Sequence, residues 1–437
     1  MTDSLDHLTD LASFVQASPS SFHAVAEVAR RLSEAGFTEL DESADWTHTP
    51  DKKRRKPSAE RRFVIRDGAI VAWITPVGAT ATTPFRIVGA HTDSPGFKLK
   101  PKPTTGSHGW LQAGVEVYGG PLLNSWLDRE LEFAGRLAFD DGSTALVRTG
   151  PFLRFPQLAV HLDRGVNTEG LTLNPQQHLN PVIGVGNPAD FDIVARLAQL
   201  AGRAGEQVAG YDIVVADTAT PRVFGLNDDL FASGRLDNLS SVHASLSALV
   251  RLSLVEPVET ASIPVFAAFD HEEVGSDTRS GAGGPFLADV LARITEGASV
   301  TERARAFAES WCLSADAGHA VHPNYPDRHD PANRPVVGRG PLLKINANQR
   351  YATDAIGARE WARCCAQAGV QYQEFVSNNA VPCGSTIGPI TATRLGIRTF
   401  DVGIALLSMH SARELCGVDD PAAFSDAIEA FLAPSLP

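Results

Sequence analysis

The sequence predicts an α/β protein: a central mixed sheet with helices on both faces, interrupted by a β-rich insertion. Three observations carry this. From residue 236 onward helical and strand patterns alternate, with a helix over 239–253, a strand over 263–269, a helix over about 286–295, a strand over 311–315 and a last helix over about 421–432. Such alternation marks a sheet packed between helices. Residues 96–230 have a different texture, rich in glycine, proline and short β-like runs. The chain, at 437 residues, is long for one domain and ample for two. The expected division is a discontinuous main domain, 1–95 and 231–437, with an inserted domain over 96–230.

Each element has a local reason. Leu5, Leu8, Leu11 and Val15 recur at helical spacing, and a second amphipathic helix is expected over about 22–35 with Gly36 as its stop. The basic run DKKRRKPSAERR (51–62) reads as a solvated loop before a strand, because no aromatic residue is interleaved and Pro57 interrupts it. RFVIRDGAIVAWI (62–74) reads as a hairpin turning at Asp67 and Gly68. FRIVGAHTD (85–93) is a short apolar strand that runs into polar residues.

Composition narrows the class. A formal net charge of −13 gives an acidic field that disfavours nucleic acid, and a hydrophobic fraction of 43% is ordinary for a chain with a real core. The cysteines, Cys312, Cys364, Cys365, Cys383 and Cys416, are odd in number and hold no C-x-x-C pair. That is no disulfide framework and favours a reducing compartment. The start, MTDSLDHLTDLASF, carries Asp3 and Asp6 where a signal peptide needs positive charge. No apolar run reaches the roughly 18 residues of a membrane span. A cytoplasmic protein without membrane or nucleic-acid partners is expected.

The chemistry begins at FDHEEVGS (269–276), where Glu272 and Glu273 follow an apolar strand. Adjacent carboxylates at the end of a buried strand repel each other and are desolvated; bound divalent cations reverse that logic. Other ligand types also fall at strand ends or loop starts: His91 and Asp93 in GAHTDSPG, Asp237 in GRLDNLSS, Asp316 in LSADAGHAVHPN and His410 in LLSMHSARE. Open α/β sheets gather such ends around one ligand site. His91, Asp237, Glu273, Asp316 and His410 then supply two imidazoles and three carboxylates, a suitable inventory for two ions such as zinc. One carboxylate can bridge the pair, which leaves Glu272 as a base toward a water. Singly, each residue has an ordinary alternative: Asp237 fits a helix N-cap and Asp316 a turn. Competing signatures are weak. GVGNPA (184–189) lacks a following dinucleotide-binding unit, and CGSTIG is not a nucleophile elbow because its serine directly follows glycine.

Taken in order, GAHTDSPGFKLKPKP, RLDNL, DHEEVGS, SADAGHAVHPNY, NQRYAT, PCGSTIGPI and SMHSARE resemble the M18 family of metallo-aminopeptidases, the aspartyl aminopeptidase group. SPSSFHAVAE (18–27) resembles that family's opening, and the likeness runs over about 10–432. The resemblance implies the phosphorylase/hydrolase-like fold of zinc peptidases and two zinc ions per subunit, with manganese or cobalt able to use the same ligands. It assigns His91 and Asp316 to one ion, Glu273 and His410 to the other, Asp237 as the bridge, Glu272 as the general base, and Asp93 behind His91 to orient its ring. It places Lys344 as the cation of an acidic-residue pocket, Tyr351 beside the scissile carbonyl, and Gly384, Ser385 and Thr386 in a substrate-lining loop. It makes the insertion a dimerisation domain, a tetrahedral dodecamer the assembly, and His161 a residue reaching a neighbour's active site. The implied substrate is a peptide with a free N-terminus, with Asp or Glu preferred first. Two alternatives stay open: a broad aminopeptidase or acylase of the same fold, separable by a substrate panel, and a peptide-binding shell with structural metals, for which a free base at Glu272 has no use.

Overall fold

The computed structural model describes residues 4–46, 58–255 and 260–434. Most of the basic run, residues 51–57, lies outside them. A nine-stranded mixed sheet forms the centre. Its four middle strands, Ile263–Phe269, Phe85–His91, Trp311–Ala315 and Arg398–Gly403, run parallel to one another. Buried on both faces, such strands read as largely apolar runs, most completely in IPVFAAF, where every residue is buried. The hairpin of Glu60–Arg66 and Ala69–Thr75 adds antiparallel to one side, and Leu342–Ile345 adds antiparallel to the other.

Alternate residues of these strands feed two cores. On one face Ile70, Val88, Phe266, Leu313 and Phe400 pack against the helices Ser4–Ala17, Leu236–Ser253, Ala355–Ala368 and Asp420–Leu432. On the other, Val71, Trp73, Ile87, Val265 and Phe269 pack against Phe286–Ile294 and Ile387–Leu395. Helices cover both faces, as the alternation predicts. Truncating a ring such as the fully buried Phe266 to alanine would cost about 3–5 kcal/mol.

A second, six-stranded antiparallel sheet takes all its strands from Gly96 to Asp217 and encloses its own core, including Phe97, Trp126, Phe133, Phe155 and Ile213. The chain returns through Leu230–Ser233, which pairs with Glu414–Gly417 near the far end of the sequence.

The helix over 239–253 and the hairpin turn at Asp67 and Gly68 form as expected, with two local details. The helix over 239–253 is regular from Leu239, but Asp237 (φ −83°, ψ 101°) and Asn238 are non-helical, and Asp237 does not act as an N-cap. In the hairpin turn it is Asp67, at φ 56°, that takes the left-handed conformation. Gly68 is needed for space: a Cβ there would stand 2.1 Å from Asp270 Oδ2.

Candidate metal centre

Parallel strands end together, so the residues just beyond them meet at one edge of the sheet. His91 is the last residue of Phe85–His91, Glu272 and Glu273 open the turn after Ile263–Phe269, and Asp316 comes directly after Trp311–Ala315. Asp237 enters at the start of the long helix and His410 from the loop before Glu414–Gly417. These residues form overlapping groups: His91 with Asp237 and Asp316, Asp237 with Glu273 and His410, and His91 with Glu272 and Glu273.

Asp237 joins the first two groups through its two oxygens. Its Oδ1 is 3.4 Å from His91 Nε2 and its Oδ2 3.3 Å from His410 Nε2. Asp316 Oδ1 is 3.6 Å from His91 Nε2, and Glu273 Oε2 is 3.5 Å from His410 Nε2. Both rings set Nδ1 against a backbone carbonyl, Asp93 O at 3.1 Å and Gly120 O at 2.9 Å. A carbonyl only accepts, so Nδ1 carries a proton, and each ring, when neutral, turns an Nε2 lone pair toward carboxylate oxygens. Asp237 Oδ1 and Glu273 Oε1 are buried and accept no hydrogen bond. Acceptors facing acceptors in a buried site call for a cation. The separations also fit: four ligands about 2.0–2.1 Å from a tetrahedral zinc stand about 3.3 Å apart.

The electrostatics agree. Burial pushes Glu272 up to about 7, with Asp316, Asp237 and Asp93 adding to the rise. Burial and Asp237 drive Glu273 well above the usual carboxylate range. Burial would lower His91, but Asp237, Asp316 and Asp93 outweigh it and hold the ring well above its ordinary value. For His410 burial is likewise outweighed by Asp237, which lifts it to about 9. Without metal, protons take the place of the missing positive charge.

The support around the cluster is backbone-directed. Asp93 Oδ1 accepts the Glu272 N–H at 3.0 Å, while Oδ2 accepts the Glu273 N–H at 3.1 Å and the Tyr118 hydroxyl at 2.7 Å. Asp93 therefore positions both glutamates as well as facing the His91 ring at 3.4 Å. Tyr118, Gly120 and Glu414 are not singled out by the sequence. Tyr118 ends a strand of the six-stranded sheet and Gly120 follows it, while Glu414 is the last residue of the motif SMHSARE.

Lys344 is almost fully buried, and its ammonium donates to Asp316 Oδ2 at 3.1 Å and to Ala317 O at 2.8 Å. It also lies 5.1 Å from the centre of the Tyr351 ring. Tyr351 is buried beside Phe375, and burial together with a hydrogen bond to Cys383 raises its phenol. Gly384 and Ser385 are exposed. Thr386 departs from the expected lining loop: its buried hydroxyl donates to Asp401 Oδ1 at 2.6 Å and caps the helix Ile387–Leu395. His161 lies exposed in a turn, between the exposed Val160 and Leu162.

A cluster of carboxylates and histidines at the carboxyl edge of the parallel strands is the arrangement that suits a metal-dependent hydrolase. Residues 14–432 match the family described as aminopeptidase I zinc metalloprotease (M18). A probable M18 family aminopeptidase 2 of Streptomyces coelicolor is 53% identical over 432 residues, 98% of each chain. Among solved structures, the Ape4 and Nbr1 complex holds a chain matching at TM-score 0.91 and 34% identity, over 98% of this chain and 86% of that one. The S. cerevesiae mApe1 dodecamer matches at TM-score 0.84 and 26% identity, over 98% and 96%. The chain belongs to the M18 family of zinc metallo-aminopeptidases.

Proposed function

We propose that the protein is a two-zinc aminopeptidase that removes the N-terminal residue of peptides, with Asp or Glu preferred. The observation that carries the two-ion reading is the carboxylate of Asp237, whose oxygens face different histidines at 3.4 and 3.3 Å. His91 and Asp316 would hold one ion, Glu273 and His410 the other, with Asp237 between them. Bound there, the ions would supply the positive charge that acidifies a water and polarises a carbonyl. Manganese or cobalt would suit the same ligands.

Glu272 takes no part in the bridging groups and has its backbone fixed by Asp93. As general base it removes the proton of the attacking water and returns it to the departing amine, so the proton count balances over the cycle. Lys344 is a buried cation in a chain of net charge −13. Two of its three ammonium donors serve Asp316 and Ala317, which leaves one for an acidic side chain. Tyr351 beside it supplies the hydroxyl that would steady the carbonyl oxygen.

The proposed assembly is a dodecamer built from dimers, with the β-rich insertion as the contact domain. The solved mApe1 dodecamer supports this, as does the run Leu158, Val160 and Leu162, left 57%, 48% and 75% exposed in the single chain. His161 in that run would reach a neighbouring subunit. Sedimentation should give about 560 kDa, twelve copies of the 46.6-kDa chain; a stable monomer would sink the assembly. Unpaired thiols at all five cysteines favour the cytoplasm.

Glu272→Gln tests the mechanism. Zinc content and assembly should persist while kcat falls by several orders of magnitude, and chelation should abolish wild-type turnover. Undiminished turnover in Glu272→Gln would remove Glu272 as the base.

A further inference from the structure

We propose that Glu414 is a positioning residue that sets the Glu273–His410 half of the metal centre, by holding the backbones of Asp237 and His410 with a single carboxylate. The inference rests on the two-ion reading of the site. Glu414 opens the strand Glu414–Gly417, pairs in register with Ser233, and is 2% exposed. Its Oε2 accepts the Asp237 N–H at 2.9 Å and its Oε1 the His410 N–H at 2.8 Å. Residues distant in sequence are thereby set at one separation.

Both contacts fall on backbone that does not hold its shape unaided. His410 sits at φ 67°, the left-handed region that side chains other than glycine avoid. Asp237 has non-helical torsions inside the first turn of its helix. The His410 ring is fixed separately by Gly120 O, so Glu414 governs where the residue stands rather than how the ring turns. The opposite half of the centre has other supports, with His91 held by Asp93 and Asp316 by Lys344. Loss of Glu414 is therefore selective. Among the described residues His410 belongs only to the group with Asp237 and Glu273, whereas Asp237 keeps His91 and Asp316 as neighbours.

Glutamate is specific here because two N–H donors need two acceptor oxygens. A glutamine at this position offers one acceptor and one donor, and its NH2 opposes one of the two N–H groups. A buried donor left in that state is costly.

The experiment is zinc titration by calorimetry, with bound-zinc counting, on full-length wild type and Glu414→Gln, alongside thermal unfolding of the metal-free forms. Wild type should take up two ions per chain. Glu414→Gln should keep one with wild-type affinity and bind the other at least tenfold more weakly. Its kcat should fall with KM changed less than threefold and recover as zinc is raised. A Glu414→Gln protein that binds both ions as wild type does, even if it melts earlier, would reduce Glu414 to a structural residue and overturn the inference; so would equal weakening of both ions. A wild-type chain that takes up a single ion overturns the two-ion reading itself, and the inference with it.

Discussion

Asp93→Asn isolates the contribution of backbone positioning to catalysis. The Asp93 carboxylate is 5% exposed and accepts three hydrogen bonds, from the Glu272 N–H, the Glu273 N–H and the Tyr118 hydroxyl. An amide of the same shape has one acceptor oxygen. If that oxygen stays at the Oδ2 position, the Glu273 and Tyr118 bonds survive and the NH2 faces the Glu272 N–H. If it sits at Oδ1, the Glu273 N–H is the one opposed, while Tyr118 can rotate its hydroxyl to accept. Either way at least one hydrogen bond to a charged group is lost, at about 1.5–3 kcal/mol. Expressed in the transition state, that is roughly a 10- to 150-fold fall in kcat/KM, at about 1.4 kcal/mol per decade. The assay is steady-state peptide hydrolysis at saturating zinc, with zinc affinity measured in parallel. Tyr118→Phe is the graded control, since it removes one donor and leaves both backbone bonds, and should cost less than tenfold. An Asp93→Asn enzyme within threefold of wild type at saturating zinc would refute the claim that Asp93 sets the base.

Lys344→Ala should cut turnover of peptides beginning with Asp or Glu much more than of those beginning with Leu or Ala, with a smaller general loss because Asp316 also loses its partner; equal losses on a substrate panel would remove the acidic pocket. Acid should loosen the N-terminal helix Ser4–Ala17. His7 is buried and lowered to about 3 by burial first and by His243 next, and its ring packs 4.7 Å from that of His243, itself lowered by burial. The folded pKa lies below the unfolded one, so stability is full above about 6.5 and is lost progressively as pH falls from there toward the folded value of about 3, by roughly 1.4 kcal/mol per pH unit for His7. Protection factors for amide exchange over residues 4–17, corrected for the intrinsic pH dependence of exchange, should fall between pH 7 and 5, and unchanged protection would refute this.

The strand ends were legible because a largely apolar run that stops at His91, or shortly before Glu272 and Asp316, marks both a buried strand and its exit. Parallel order then brings those exits to one edge of the sheet, which is why ligands scattered from His91 to His410 could be grouped before any coordinates. The contacts between them could not be read in the same way. Whether Asp237 uses both oxygens depends on a non-helical turn that its sequence, which also fits an N-cap, does not announce. The carbonyl of Gly120 that orients His410 is a backbone group, common to every residue, and only the packing of the β-rich sheet against the centre gives it that role. Lys344 could not be joined to Asp316 from the sequence, because Asp316 follows a different strand and folding decides that the ammonium meets it. Residue type and local pattern thus determined which groups are candidates for the chemistry. The tertiary structure decided how each is aimed, because aim is set by hydrogen bonds to backbone atoms whose positions depend on the packing of distant segments.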